Sequence, residues 1–356
     1  MIFKKPSLYK SVILIISFPL LLFCNNPEKI HIRTTQSVVG DGFPGTTITN
    51  ETQTFKNAVE EHGQLRISGN KILDKNGDVV QLRGMSLFWS QWMGKYYTKE
   101  TVKWLKDDWN CNIIRAAMAV DYNGYLSNPD AEKAKIETVI DAATAEGIYV
   151  IVDWHDHEGQ NHLEEAKTFF SEIASKYGNI PNIIYETYNE PLNVSWTDVL
   201  KPYQEAVIAE IRKHDPDNII ICGTRNWSQK VDDVISNKVN DPNIAYTLHY
   251  YAATHKQELR DIALQALNND IPLFVTEYGT TEASGDGTID EVESNLWWDF
   301  LDKYNISWCN WSVADKDELS AALKPGASPL GGWTETQITT SGIMVRNKLK
   351  VKNKKY

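Results

Sequence analysis

The sequence predicts an α/β fold: a (β/α)8 barrel with a small N-terminal β-hairpin. Three observations predict it. Eight short apolar runs with strand character recur between residues 80 and 311, most of them continuously hydrophobic, as parallel strands covered on both faces are. Helical patterns lie between them and stop at Gly or Pro, which end helices through the left-handed cap and the missing N–H donor. No Gly-rich dinucleotide fingerprint follows the first run, so a doubly wound open sheet lacks its own signature.

The elements follow in order. Leu65–Ser68 and Lys71–Asp74 flank Gly69-Asn70, and Asn76-Gly77 adds a second strong turn signal, so a hairpin is expected here that could close the floor of the barrel. The strand runs are Val80–Met85, Asn112–Met118, Tyr149–His155, Ile183–Asn189, Ile219–Gly223, Ile244–Tyr250, Leu273–Glu277 and Ile306–Trp311. Helical patterns cover Thr98–Trp109, with Thr98 as N-cap, then Asp130–Glu146 before Gly147, Leu163–Tyr177 before Gly178, and Asp198–His214 before Pro216. The basic run Lys348–Lys355 reads as a solvated, frayed terminus.

Residues 1–24 read as a signal peptide. Lys4, Lys5 and Lys10 precede a run of about a dozen mostly apolar residues, Val12–Phe23, the length of a signal h-region and too short to span a bilayer. Leu21-Leu22-Phe23-Cys24 resembles a bacterial lipobox, with Phe23 where a small residue is usual, so Cys24 is a lipidation candidate. Export is expected, to the medium or to a cell-surface or periplasmic lipoprotein location, with membrane attachment through a lipid on Cys24 as one form. Residues 25–56, rich in Asn, Thr, Gly and Pro, read as a flexible linker, 57–350 as the catalytic barrel, and 351–356 as a basic tail.

Composition excludes some classes. A formal charge of −11 speaks against a nucleic-acid partner, which needs basic patches. Cys111, Cys222 and Cys309 show no Cys-x-x-Cys spacing, so no structural zinc site or disulfide framework is indicated, although one disulfide among them stays open. The 12 Trp include candidates for stacking on sugar rings, with Trp227 and Trp311 favoured because they follow strand ends; Trp89, Trp104, Trp109, Trp297 and Trp298 read as packing residues. His155-Asp156-His157 with His162 is a weak metal pattern, so no metal or cofactor is expected, and His157 and His162 read as loop residues. A monomer is expected.

In such a barrel the C-terminal ends of the strands share one face, where active sites collect. Arg115, His155, Asn189, Glu190, His249, Tyr251, Glu277 and Trp311 all fall at predicted strand ends. Two glutamates on separate strands offer the paired carboxyls that glycosidic bond cleavage requires, one donating a proton and the other ionised. Arg115 is placed to keep one carboxylate ionised, Tyr251 to donate to it, His249 to orient the acid and Asn189 to hold a substrate hydroxyl.

The runs Leu82–Ser86, Asp153-Trp154-His155, Tyr188–Pro191, Leu248–Tyr251, Thr276–Gly279 and Trp308–Ser312 resemble glycoside hydrolase family 5, in its bacterial endo-β-1,4-glucanase (cellulase) branch, over Val59 to Leu349. The resemblance implies a TIM barrel and a retaining double displacement on a β-glucan polysaccharide, with Glu190 as acid/base and Glu277 as nucleophile. It places support on Arg115, His155, Asn189, His249, Tyr251 and Trp311, and sugar contacts on Trp92, Trp227, Lys316 and Glu318. Where many of these cellulases carry a His at a glycone subsite, this chain has Phe88, which would stack on a sugar or pack inward. Mixed-linkage glucan, xyloglucan or mannan are alternative substrates, and a non-catalytic surface glycan-binding lipoprotein is the reading from another class. Few residues lie outside the barrel, so soluble or amorphous chains are expected over crystalline fibre.

Overall fold

The computed structural model describes residues 55–356, together with the backbone of two short antiparallel strands, Thr35–Gln36 and Thr46–Thr47. The signal peptide with Cys24, and the rest of the linker up to Thr54, lie outside the described residues. Eight parallel strands close into a barrel: β1 (Arg83–Leu87), β2 (Ile113–Ala119), β3 (Tyr149–His155), β4 (Ile183–Glu186), β5 (Ile220–Cys222), β6 (Ile244–Tyr251), β7 (Leu273–Gly279) and β8 (Ser307–Val313), with β8 returning to pair with β1. Outside it lie helices α1 (Lys99–Asp107), α2 (Pro129–Glu146), α3 (Leu163–Tyr177), α4 (Lys201–Ile211), α5 (Gln257–Leu267), α6 (Glu291–Tyr304) and α7 (Thr340–Lys352). The β5–β6 connection contains only one short helical segment, Arg225–Ser228. Thr98 caps α1 by accepting from Thr101 N, and Gly147 ends α2 in the left-handed conformation.

Most strand ends shift by a residue or two from expectation, and the start of the first strand and the end of the fourth shift further. Val80 N bonds to Ile72 O at 2.9 Å, which ties residue 80 to the hairpin, and β1 begins at Arg83. Past Glu186 the fourth strand turns off the ladder, because Asn189 N bonds to Trp154 O (3.1 Å) and Glu190 N to Asp156 O (3.2 Å) at the end of β3. The hairpin forms as expected: Arg66–Ser68 pairs with Lys71–Leu73, and Asp74 Oδ1 accepts from the N–H of Asn76 and Asp78 to close the second turn. Its Ile72, with Leu65, packs against inward-facing Ile113, Ile151, Ile184 and Phe274 and closes the barrel floor.

Strand alternation then builds the site. Side chains two residues further along face the same way. Above the apolar layer of Ile113, Ile151, Ile184 and Ala245 therefore come Arg115, Asp153, Glu186 and Thr247, and above those His155 and His249. Strand β7 breaks the rule. Val275 pairs with Trp308 but Tyr278 with Asn310, one residue more on β7 than on β8, and the register with β6 shifts at the same point. Tyr278 consequently faces the outer helices, where its hydroxyl accepts from Trp298, while Glu277 turns inward. A bulge that re-aims a side chain beside a site is a known use of the extra residue.

The basic terminus is not frayed. Helix α7 runs through Lys352, Asn353 Nδ2 donates to Arg83 O and Asn110 O, and Lys354 and Tyr356 both reach Glu61. Cys111, Cys222 and Cys309 are free and buried.

Gly84 on β1 has no room for a methyl group, since a Cβ there would lie 1.8 Å from Ile113 O on β2. Gly84→Ala is expected to destabilise the barrel by about 3 kcal/mol or more, the upper range for overpacking; an unchanged urea midpoint would refute this contact.

Candidate active site

Arg115 is the centre of the polar layer. Its side chain is fully buried; it donates to Glu186 Oε2 through Nε (2.7 Å), to Glu277 Oε2 through Nη1 (3.0 Å) and to Asn189 Oδ1 through Nη2 (2.6 Å), and Asp153 Oδ2 is ion-paired with it 2.9 Å from Nη2. A guanidinium serves Glu186, Glu277 and Asn189 at once through separate N–H groups in a fixed fork, which a point-like ammonium does not offer. Glu277 receives a second donor, Tyr251 Oη, at 2.9 Å. Asn189 Nδ2 is buried without a partner and remains a free donor.

Glu190 sits past the end of β4. Its Oε1 meets His249 Nδ1 at 3.0 Å and its Oε2 meets His157 Nε2 at 3.2 Å. The other His249 nitrogen faces Thr276 Oγ1 at 2.8 Å, whose oxygen in turn donates to Glu186 at 2.6 Å. Burial raises the Glu190 carboxyl, but the bonds from His157 and His249 outweigh it and hold it down to about 2. Burial lowers His249, yet its bonds to Glu186 and Glu190 push it up to about 9. Glu277 is raised, by burial first and by the Glu190 charge second, against the pull of His249, Arg115 and Tyr251. The shared proton therefore rests on His249, one hydrogen bond away from Glu190. His155 is driven well below its usual value by burial and by Arg115, so it is a neutral ring; it pairs with Asp153 at 2.7 Å.

Oxygens of Glu190 and Glu277 and a His249 nitrogen lie within 4.8 Å of one another. The set could be mistaken for a metal site. A metal there would have to displace the proton that His249 shares with Glu190 across their 3.0 Å contact, so the donors fit proton sharing better.

The rings divide by position. Trp311 lies parallel to His155 at 5.2 Å, interplanar angle 2°. Trp92 and Trp227 are exposed on the loops after β1 and β5, which stand on opposite sides of an eight-strand barrel. Lys316 and Glu318 pair with each other beyond β8. Phe88 packs inward at 6% exposure, between Trp311 and Trp92. Trp89 packs edge-on against the His155 ring at 4.4 Å, and His157, a loop residue as expected, also touches Glu190. His162 instead pairs with Asp156, away from the carboxyl pair. Asp153, Glu186 and Thr276 were not anticipated. Their signal was a polar residue two positions after an inward apolar one on β3, β4 and β7.

The profile of Cellulase (glycosyl hydrolase family 5) matches residues 73–317. The chain belongs to this family. Endoglucanase N of Pectobacterium atrosepticum is 47% identical over 296 residues, 82% of this chain and 66% of that protein. Endoglucanase Z of Dickeya dadantii is 50% identical over 75% of this chain and 63% of its own length. The chain thus spans somewhat less than two thirds of these curated relatives. Among solved structures, a Cytophaga hutchinsonii protein superposes with TM-score 0.83 at 56% identity, covering 84% of this chain and 98% of that one. The catalytic domain of Thermobifida fusca endoglucanase Cel5A gives 0.79 at 38%, covering 82% and 99%, and a variant of that domain is solved with cellotetraose.

Arg115→Met would leave Asp153, Glu186 and Glu277 without their shared cation. The expected loss at neutral pH is about 3–5 kcal/mol. The loss should shrink as pH falls toward the unfolded carboxyl value, because protonation removes the uncompensated charge. A pH-independent loss in urea melts would show that charge is not the cause.

Proposed function

We propose that this family member is a retaining endo-β-1,4-glucanase, with Glu277 as nucleophile and Glu190 as acid/base. The observation that carries the reading is that an oxygen of Glu190 and an oxygen of Glu277 lie within 4.8 Å of each other, short of the spacing that holds a water between two distant carboxyls. Retaining glycosidases hold theirs at about 5–5.5 Å, and inverting ones at about 6.5–9.5 Å to admit a water. In the first step a Glu277 oxygen bonds the anomeric carbon, the bond to the leaving oxygen breaks, and Glu190 gives that oxygen a proton. In the second, Glu190 takes a proton from water, the water oxygen bonds the anomeric carbon, and the ester to Glu277 breaks.

The first step needs a proton on Glu190. The 3.0 Å bond to His249 supplies it. A sugar covering the pair excludes water, which disfavours carboxylate plus imidazolium against the neutral pair and moves the proton to Glu190. Arg115 and Tyr251 hold charge on Glu277, and the free Asn189 donor suits a hydroxyl at the reacting sugar. A cleft with exposed Trp92 on one side and Trp227 on the other suits a long chain lying across it, hence internal cleavage. A β-1,4-glucan agrees with the endoglucanase relatives and the cellotetraose-bound structure. Export through residues 1–24, with lipid on Cys24 as one outcome, rests on the sequence and is tested by mass spectrometry of the mature N-terminus. A product profile on carboxymethylcellulose, barley β-glucan and mannan tests the substrate.

Glu277→Ala should lose hydrolysis and regain turnover with azide, releasing an α-glycosyl azide. A β-configured azide, or activity near wild type without azide, would sink the assignment. The kcat/KM profile should be a bell. Activity falls on the acid side as Glu277 protonates, above the ordinary glutamate value since its carboxyl is raised, and on the basic side as the Glu190–His249 pair loses its proton, near pH 9. Replacing His249 with Gln should move the basic limb down; an unmoved limb would place the proton elsewhere.

A further inference from the structure

The loop after β2 carries an aromatic side chain that the catalytic arrangement does not use. Tyr122 is 58% exposed. Its backbone is left-handed, φ +53°, and so is that of Asn123, φ +67°. A bulky residue is disfavoured there because Cβ crowds the carbonyl, and Gly would avoid the strain. The turn is fixed by its own bonds: Tyr122 N to Asp121 Oδ1 (2.7 Å), Gly124 N to Asp121 O (2.9 Å) and Asn128 Nδ2 to Asn123 O (3.1 Å). The strain secures no deep burial. It holds a ring out at the rim, 6.0 Å from Trp92 at an interplanar angle of 33° and 6.0 Å from Trp89. Trp92 is itself 54% exposed. Through Trp89 the ring contacts continue to His157, which meets Glu190, and to the buried His155 and Trp311, so a chain of touching rings links Tyr122 to the carboxyl pair.

We infer that Tyr122, together with Trp92, forms an outer subsite for one more glucosyl unit of the β-1,4-glucan, beyond those over Trp311. The inference rests on the proposed reading of the cleft. A glucosyl ring presents apolar C–H faces and equatorial hydroxyls, so it can lie on rings at a rim while its hydroxyls stay in water. The opposite rim uses the same device: Trp227, 45% exposed, also stands on left-handed backbone, φ +56°. Backbone strain retained under an exposed ring on each side of one cleft is the pattern expected of ligand contacts.

Binding is read in the Glu277→Gln background by tryptophan fluorescence titration with cellotriose and cellohexaose. Adding Tyr122→Gly is expected to lower the hexaose-to-triose affinity ratio about fivefold, as loss of one partly exposed ring contact would. Its Tm should be equal or higher, since Gly relieves the left-handed strain. Tyr122→Phe should restore the ratio. An unchanged ratio overturns the subsite, and so does a parallel weakening of both sugars with a lower Tm, the signature of a structural role. Hydrolysis by the unaltered protein is scored separately. Tyr122-dependent hexaose binding without hydrolysis keeps the subsite and defeats the catalytic reading; hydrolysis with Tyr122-independent binding does the reverse. No cello-oligosaccharide binding at all overturns both.

Discussion

One buried cation makes the interior of this barrel possible. Asp153, Glu186 and Glu277 converge on Arg115 within 3.0 Å, in a place that water does not reach. Three carboxylates in low dielectric would repel by far more than packing could offset. A single positive charge cannot balance all of them, so the remaining charge is relieved by protons. Burial pushes Asp153 well up, while Glu186 stays low because Arg115 and His249 outweigh its burial. The mobile proton then collects on His249, against Glu190. The charge balance around Arg115 thereby favours a proton beside Glu190, the residue proposed as acid/base.

Much of this was legible from the chain. Apolar runs of the right length gave the strands, and Gly147 and Thr98 marked helix limits through their backbone chemistry. The polar residues closing those runs include His249, which reaches Glu190, and Tyr251, which reaches Glu277; Arg115, expected at a strand end, lies inside β2, one layer deeper. Three things were hidden, each for a physical reason. The β7 bulge leaves no composition signal, and strict alternation would have put Glu277 on the outer face with Val275. Asp153 and Glu186 sit inside apolar runs and reveal their role only when the barrel closes around Arg115. Phe88 offered a choice between sugar and core that hydrophobicity alone could not decide; its ring packs between Trp311 and Trp92 and is nearly buried.

The two rims are built alike and anchored differently. On the β5 side, Asn226, Trp227 and Ser228 are all left-handed, and their bonds run to the turn that carries Glu190: Trp227 N to Pro191 O at 2.9 Å, Asn226 N to Leu192 O at 3.2 Å, and Ser228 Oγ to Asn189 O at 2.8 Å. Trp227 and Glu190 are therefore tied to one turn, which on the proposed reading would hold a sugar on Trp227 in register with the acid/base. Tyr122 is fixed by bonds within its own loop. Its strain is paid locally, and its ring can be altered without displacing Asn189, Glu190 or Arg115. On the proposed reading, catalytic geometry thus constrains one side of the cleft tightly, while the other would be free to vary the grip on the chain. In a fold whose strands fix the chemistry and whose loops meet the substrate, that second side is where preference among β-glucans can change at least structural cost.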